Sequence, residues 1–339
     1  MTRVAINGFG RIGRCFLRAA IKSGAHGKDF EIVALNDLGT LESLAYLLKY
    51  DTVYGKADFA VSQDGTSLIV DGKSIGFVQE KELAKLPWKD MNIDILVEST
   101  GVFTDPAKAK GHIDAGAKRV VISAPAKGEG AETVLIGANE EKLKACTISS
   151  NASCTTNAAS PVIGILDEAI GIEKALLNTT HAYTASQALV DAPNAKDLRE
   201  GRAAAQNMVP ASTGAAKATA LAYPQMKDRF DGISVRVPVP AGSIADITFI
   251  AKRATTPEEV NAALKAAAQS ERWKKVFAVT EEPLVSSDIL GLPYGSIADL
   301  ALTRVVGGNL VKVMAWYDNE MGYAHTLVEH ISAVSRNMQ

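Results

Sequence analysis

The chain has 339 residues, 36 of them Lys or Arg and 38 Asp or Glu, for a net charge of −2; 47% are hydrophobic and 22% charged. That composition suits a folded globular protein of about two domains and lacks the basic footprint of a nucleic-acid binder. No run approaches the roughly 20 apolar residues of a membrane span, and three scattered cysteines and five histidines make neither a disulfide framework nor a metal cluster, so no metal and a reduced, cytoplasmic compartment are expected.

In chain order, residues 4–7 read as an apolar strand and 11–23 as a helix, with Ile12, Phe16, Leu17 and Ala20 at helical spacing. Between them stands Gly8-Phe9-Gly10-Arg11-Ile12-Gly13. Gly8 permits a tight turn, Gly10 lets a pyrophosphate approach, and Gly13 lets helix and sheet pack closely. A second strand, 31–36, ends beside Asp37, placed to bind the ribose hydroxyls of a dinucleotide and to repel a 2′-phosphate. The alternative for Asp37 is an N-cap of the helix 41–49. Asp64-Gly65 and Asp71-Gly72 are hairpin turns. Strands at 93–98 and 119–123 flank a helical stretch at 107–115. This alternation predicts a doubly wound α/β domain over residues 1–150.

From about residue 150 the pattern becomes α+β. Strands are expected at 175–184, 232–239, 245–251 and 310–317. Thr256-Pro257-Glu258-Glu259 supplies an N-cap, a first-turn proline and a capping-box glutamate for one helix. Alternation in 232–237 sets Arg236 opposite Ile233, Val235 and Val237, facing away from the core. The catalytic domain spans 151–318. The segment 319–339 carries an amphipathic helix expected to pack back on the first domain.

Ser149-Ser150-Asn151-Ala152-Ser153-Cys154-Thr155-Thr156-Asn157 is the most informative stretch. It is small and polar and leads into a helical run at 158–169, where Pro161 argues for a kink or an irregular first turn. A cysteine near a helix N-terminus is favoured as thiolate. The alternative, a small core hydrophobe, suits Cys15 and Cys146 better.

Ser-Asn-Ala-Ser-Cys-Thr-Thr-Asn resembles the active-site signature of the glyceraldehyde-3-phosphate dehydrogenase family. The likeness extends to Asn7–Arg14, Glu98-Ser99-Thr100-Gly101-Val102-Phe103, Thr180-His181-Ala182-Tyr183-Thr184, Arg236-Val237-Pro238 and Trp316-Tyr317-Asp318-Asn319-Glu320. The resemblance implies a phosphorylating, NAD-dependent aldehyde oxidation with Cys154 as nucleophile and His181 as base, through a thiohemiacetal and a thioester. His181 read alone is as well a strand histidine with a core hydrogen bond. By the same resemblance Asn7, Gly8, Gly10, Arg11, Ile12, Gly13, Asp37, Lys81, Thr100, Ser123, Asn319 and Tyr323 hold the cofactor. Ser153, Thr155, Thr184, Arg199, Thr213, Gly214 and Arg236 hold the phosphates of the aldehyde and of inorganic phosphate. Arg199 alone reads better as a surface ion pair with Asp197 or Glu200. The segment 187–207 is similar to the family's S-shaped interface loop, which implies a homotetramer. Ala158, Met321 and Ala241-Gly242 depart from the family pattern, and Ala192 leaves NADP as a secondary cofactor. An erythrose-4-phosphate dehydrogenase is the alternative within the same chemistry.

Overall fold

A computed structural model describes residues 1–338. The chain divides into two compact units. One takes Met1–Val134, Asn139–Ala152 and the chain from Leu327; the other takes Leu135–Ala138 and Ser153–Thr326.

The first unit is built on β1 (Thr2–Asn7), α1 (Arg11–Lys22), β2 (Phe30–Asn36), α2 (Leu41–Lys49), β3 (Val61–Gln63), β4 (Ser67–Val70), β5 (Lys73–Val78), β6 (Ile95–Glu98), β7 (Arg119–Ile122), β8 (Glu132–Thr133) and β9 (Ile148–Ser150). Its nine strands run in the order β8-β9-β7-β6-β1-β2-β5-β4-β3. All neighbours are parallel except the β5-β4-β3 meander at one edge, which turns at the two Asp-Gly pairs. Val4-Ala5-Ile6, Ile95-Leu96-Val97 and Val120-Val121-Ile122 are fully buried, as strands covered on both faces must be. Thr40 caps α2 through its Oγ1, so Asp37 is not that cap. The stretch predicted as one helix at 107–115 is two single turns, Pro106–Ala109 and Gly111–Asp114.

The second unit contains α3 (Cys154–Ala169), β10 (Ile172–Ala182), β11 (Val209–Ser212), α4 (Ala215–Ala222), β12 (Phe230–Val237), β13 (Ser243–Ala251), α5 (Pro257–Gln269), β14 (Phe277–Thr280), β15 (Ser296–Val306) and β16 (Leu310–Tyr317). The sheet order is β11-β12-β10-β13-β16-β15-β14, mostly antiparallel. α3, α4 and α5 share one face of it. Burial alternates along β13, as it does in a sheet covered on one side. α6 (Met321–Arg336) follows β16.

Two expectations are corrected here. α3 runs unbroken through Pro161; nearly complete burial of its middle outweighs the lost backbone bond. Arg236 lies on the helix-covered face, in line with the buried Ser234, while Ile233 points outward and is 58% exposed. The apolar stripe of β12 is its outer face, and the inner face carries the polar chemistry.

Candidate active site

α3 begins on Cys154, and Ser153 caps it by accepting from the Thr156 N–H at 3.1 Å. The half-buried Cys154 holds its Sγ 3.4 Å from His181 Nε2. His181 stands on the inner face of β10, and the parallel register of β10 and β12 places Arg236 directly beside it. Arg236 NH1 lies 3.0 Å from His181 Nδ1 and donates to the Ala182 carbonyl at 3.4 Å. That carbonyl is also 2.6 Å from His181 Nδ1. Two lone pairs do not meet at that distance, so Nδ1 carries the ring proton and Nε2 turns a lone pair toward the sulfur. This is the tautomer that a base needs in order to take a thiol proton.

Burial disfavours the charged form of each partner. Burial pushes the Cys154 thiol up, opposed by the Arg236 charge and by hydrogen bonding with Thr155. Burial and then the Arg236 charge bring His181 down to about 3, against the Ala182 carbonyl, which favours the charged ring. Burial thus works against the helix terminus, which favours the thiolate.

Tyr317 and Thr179 complete the pair's surroundings, and sequence reasoning assigned neither a role. The Tyr317 hydroxyl lies 2.9 Å from Thr155 Oγ1 and 2.7 Å from Thr179 Oγ1. Its ring meets the His181 ring edge-on, 5.8 Å between centroids. The available signal was alternation: Thr179 and His181 share a strand face.

The predicted phosphate ligands fall in four places. Arg236 is at the pair. Thr184 bonds Ser186 Oγ at 3.0 Å, and Thr213 Oγ1 accepts from the Ala215 N–H at 3.2 Å, just before the exposed Gly214 that opens α4. Arg199 is exposed; Asp197 accepts from its backbone N–H, and its guanidinium makes no ion pair among the described residues. Thr155 is buried and committed to Tyr317.

In the first unit the glycine turn fits a dinucleotide. A Cβ on Gly8 would fall 2.6 Å from Thr100 N, and one on Gly13 would fall 2.3 Å from Gly8 O, whereas the space beside Gly10 is open. α1 has neither a side-chain cap nor an acidic residue in its first turn, as suits a helix N-terminus that binds an anion. Asp37 accepts from the Phe9 N–H at 2.7 Å and the Gly39 N–H at 2.8 Å, which fixes its carboxylate at the turn. The Arg11 guanidinium is paired with Asp51, Ile12 and Ser123 are half-buried, and Lys81 is exposed. In the second unit, Asn319 Oδ1 accepts from Gly242 N at 3.0 Å and Ser243 Oγ at 3.1 Å, leaving its NH2 as the end it can offer. Gly242 has φ 89°, and a Cβ there would strike the Ser286 carbonyl. The Ala241-Gly242 departure thus gives the close turn that holds Asn319. Tyr323 is buried in the first turn of α6.

Residues 2–106 match the NAD binding domain of glyceraldehyde 3-phosphate dehydrogenase, and residues 153–319 match the C-terminal domain of the same enzyme. The chain belongs to the glyceraldehyde-3-phosphate dehydrogenase family. It is 50% identical over 329 residues to glyceraldehyde-3-phosphate dehydrogenase 2 of Streptomyces avermitilis, covering 96% of each chain. It is 48% identical to the Mycobacterium avium dehydrogenase over 99% of each chain, and 48% identical to that of Geobacillus stearothermophilus over 96% of each. With the family comes its class, an oxidoreductase with an NAD-binding domain. The first matched range contains the glycine turn, Asp37, Lys81 and Thr100; the second contains Cys154, His181, Arg236 and Asn319. No helix among the described residues is long and apolar enough to cross a membrane.

Proposed function

We propose that the chain oxidises D-glyceraldehyde 3-phosphate and captures the product as 1,3-bisphosphoglycerate, with Cys154 as covalent nucleophile. The observation that carries this reading is the 3.4 Å approach of Cys154 Sγ to the unprotonated nitrogen of His181, with Arg236 against the same ring. As the sulfur adds to the aldehyde carbon, the S–C bond forms and the thiol proton passes to His181 Nε2. The imidazolium then donates to the new oxygen and takes its proton back as the carbonyl re-forms. NAD, when bound, supplies the acceptor for the hydride that leaves the same carbon. Inorganic phosphate attacks the resulting thioester, the C–S bond breaks, and Cys154 leaves as a thiolate that His181 reprotonates.

Arg236 couples binding to this proton transfer. Its bare charge resists an imidazolium 3.0 Å away. A substrate phosphate on the guanidinium neutralises that charge, and His181 becomes a stronger base only when substrate is present. Ser153, Thr184, Arg199, Thr213 and Gly214 supply the remaining phosphate donors. The Asp37 carboxylate makes NAD the principal cofactor and NADP at most a secondary one.

The reading extends to a cytoplasmic homotetramer. On the outer face of the second unit's sheet, Leu176 is 66% and Ile233 58% exposed, and Leu176, Leu221 and Leu310 line an open cavity of about 880 Å³. Monomers seldom leave so much apolar surface wet.

The test is reduction of NAD and NADP by wild type and Cys154→Ala, with and without phosphate. NADH formation is expected to require phosphate, to vanish in the variant, and to be slower on erythrose 4-phosphate. Wild-type turnover by the variant would remove the covalent route.

A further inference from the structure

A buried polar cluster at the carboxyl ends of β1, β2 and β6 takes no part in the steps above. Glu98 is 2% exposed. Its Oε2 accepts from Asn7 Nδ2 at 2.6 Å and lies 3.1 Å from His112 Nε2. Its Oε1 accepts from the Thr100 N–H at 2.8 Å and from the Thr100 hydroxyl. Asn7 Oδ1 accepts from Asn36 Nδ2 at 2.7 Å, and Asn36 exchanges two bonds of 2.9 Å with the Glu80 backbone. His112, fully buried, receives the Trp88 indole N–H at Nδ1, 3.1 Å away. That bond fixes the tautomer: Nδ1 accepts, so Nε2 bears the proton and donates to Glu98. Donors and acceptors therefore alternate from the Trp88 indole to the Glu80 backbone.

The cluster's ends lie on the loops that would hold the dinucleotide. Gly8 N donates to Asn36 O at 2.8 Å, and Ser99 Oγ donates to Gly8 O at 2.7 Å. Thr100 N approaches Gly8 so closely that a Cβ would not fit. One carboxylate thus clamps the Thr100 backbone against the glycine turn, and through Asn7 and Asn36 it fixes the strand end that leads to Asp37.

We propose that Glu98 is a positioning residue for NAD, acting through Thr100, Asn7 and Asn36, with His112 in its Nε2–H form as the second support. The proposal rests on the dinucleotide reading of the glycine turn. Asn7, expected to touch the cofactor, has its side chain committed to this cluster and is 1% exposed, so its effect on the cofactor passes through Glu98 and Asn36.

Glu98→Gln keeps the shape and reverses one donor. With its NH2 toward Asn7 and His112, donor meets donor. Turning Asn7 to relieve this passes the mismatch to Asn36, and from there to the Glu80 N–H. Adding Asn7→Asp restores the alternation, because the new carboxylate accepts from Asn36, from the new amide and from His112, whose Nε2 is 3.4 Å from the Asn7 amide nitrogen.

The experiment is calorimetric NAD binding to the full chain, with thermal melting of each NAD-free variant. E98Q is expected to bind NAD at least tenfold more weakly than wild type, and N7D/E98Q to recover to within about threefold. A merely structural Glu98 would lower the melting temperature of E98Q without this reciprocal rescue of Kd. If E98Q does not fold, the His112 pair decides. His112→Gln retains a donor toward Glu98 and His112→Asn does not, so H112N should bind NAD at least threefold more weakly than H112Q. E98Q within twofold of wild type, N7D/E98Q as weak as E98Q, or equal affinities in the His112 pair each overturn the proposal. Wild type that fails to bind NAD overturns the dinucleotide reading instead.

Discussion

Arg236 acts on both members of the Cys154–His181 pair, easing ionisation of the thiol and resisting protonation of the ring. Arg236→Gln removes that field. With the cation gone His181 becomes easier to protonate, so the acid limb of the kcat/KM profile should move to higher pH while KM for the phosphorylated aldehyde rises. A limb that stays in place would detach Arg236 from the base. His181→Asn should slow acylation by about two to four orders of magnitude, the usual worth of a positioned base; a loss under twofold in single-turnover kinetics would remove the residue from that role. Tyr317→Phe strips the partner from two buried threonine hydroxyls and should cost about 1–3 kcal/mol in denaturant unfolding. Cys154 was legible in sequence because its neighbours are small and polar where a core cysteine would have apolar ones. Arg236 was legible as a phosphate ligand through the family resemblance, but its place beside His181 and the role of Tyr317 were not, because both depend on cross-strand register, and alternation alone does not say which face is covered.

At the level of elements, β1, β2, β6, β7 and both hairpins could be read directly from apolar runs and Asp-Gly turns, whereas β8, two residues long, offers no such run. α4 and β15 could not. The sequence of α4, Ala-Ala-Lys-Ala-Thr-Ala-Leu-Ala, is small throughout and has little helical periodicity, and β15 alternates only in part. The capping box expected at α5 is half made. Thr256 Oγ1 accepts from the Glu259 N–H at 3.3 Å, but the Glu259 carboxylate goes to Arg253 and Thr255. Thr256→Ala should therefore cost about 1 kcal/mol through the lost cap, with kcat unchanged, as measured by chemical denaturation and steady-state rates. An effect above 3 kcal/mol would mean that Thr256 does more than cap.

For the molecule as a whole, a buried histidine contributes to the response to acid. His330 is fully buried, with Nε2 2.8 Å from Ser149 Oγ and Nδ1 3.2 Å from Asn151 Oδ1, and burial holds it down to about 3. The unfolded chain protonates it near 6.5. Stability from His330 is thus complete above pH 6.5 and lost as pH falls from 6.5 toward 3, about 2 kcal/mol by pH 5. His330→Gln should flatten the unfolding midpoint over that window, and an unchanged slope would exclude it. Ile233→Glu, placed on the exposed outer sheet face, should lower the mass measured by light scattering if that face joins subunits. Strand order was beyond the sequence, since no local pattern encodes it. The Ser335 hydroxyl meets the Thr2 hydroxyl at 2.6 Å and the Asp29 carbonyl at 2.9 Å. The second unit, up to Thr326, is made before the stretch of α6 from Leu327 that completes the first unit, so the half begun first is the half that finishes second. Translation halted short of Leu327 would leave the early strands with an open apolar seam, a ready client for chaperones and proteases.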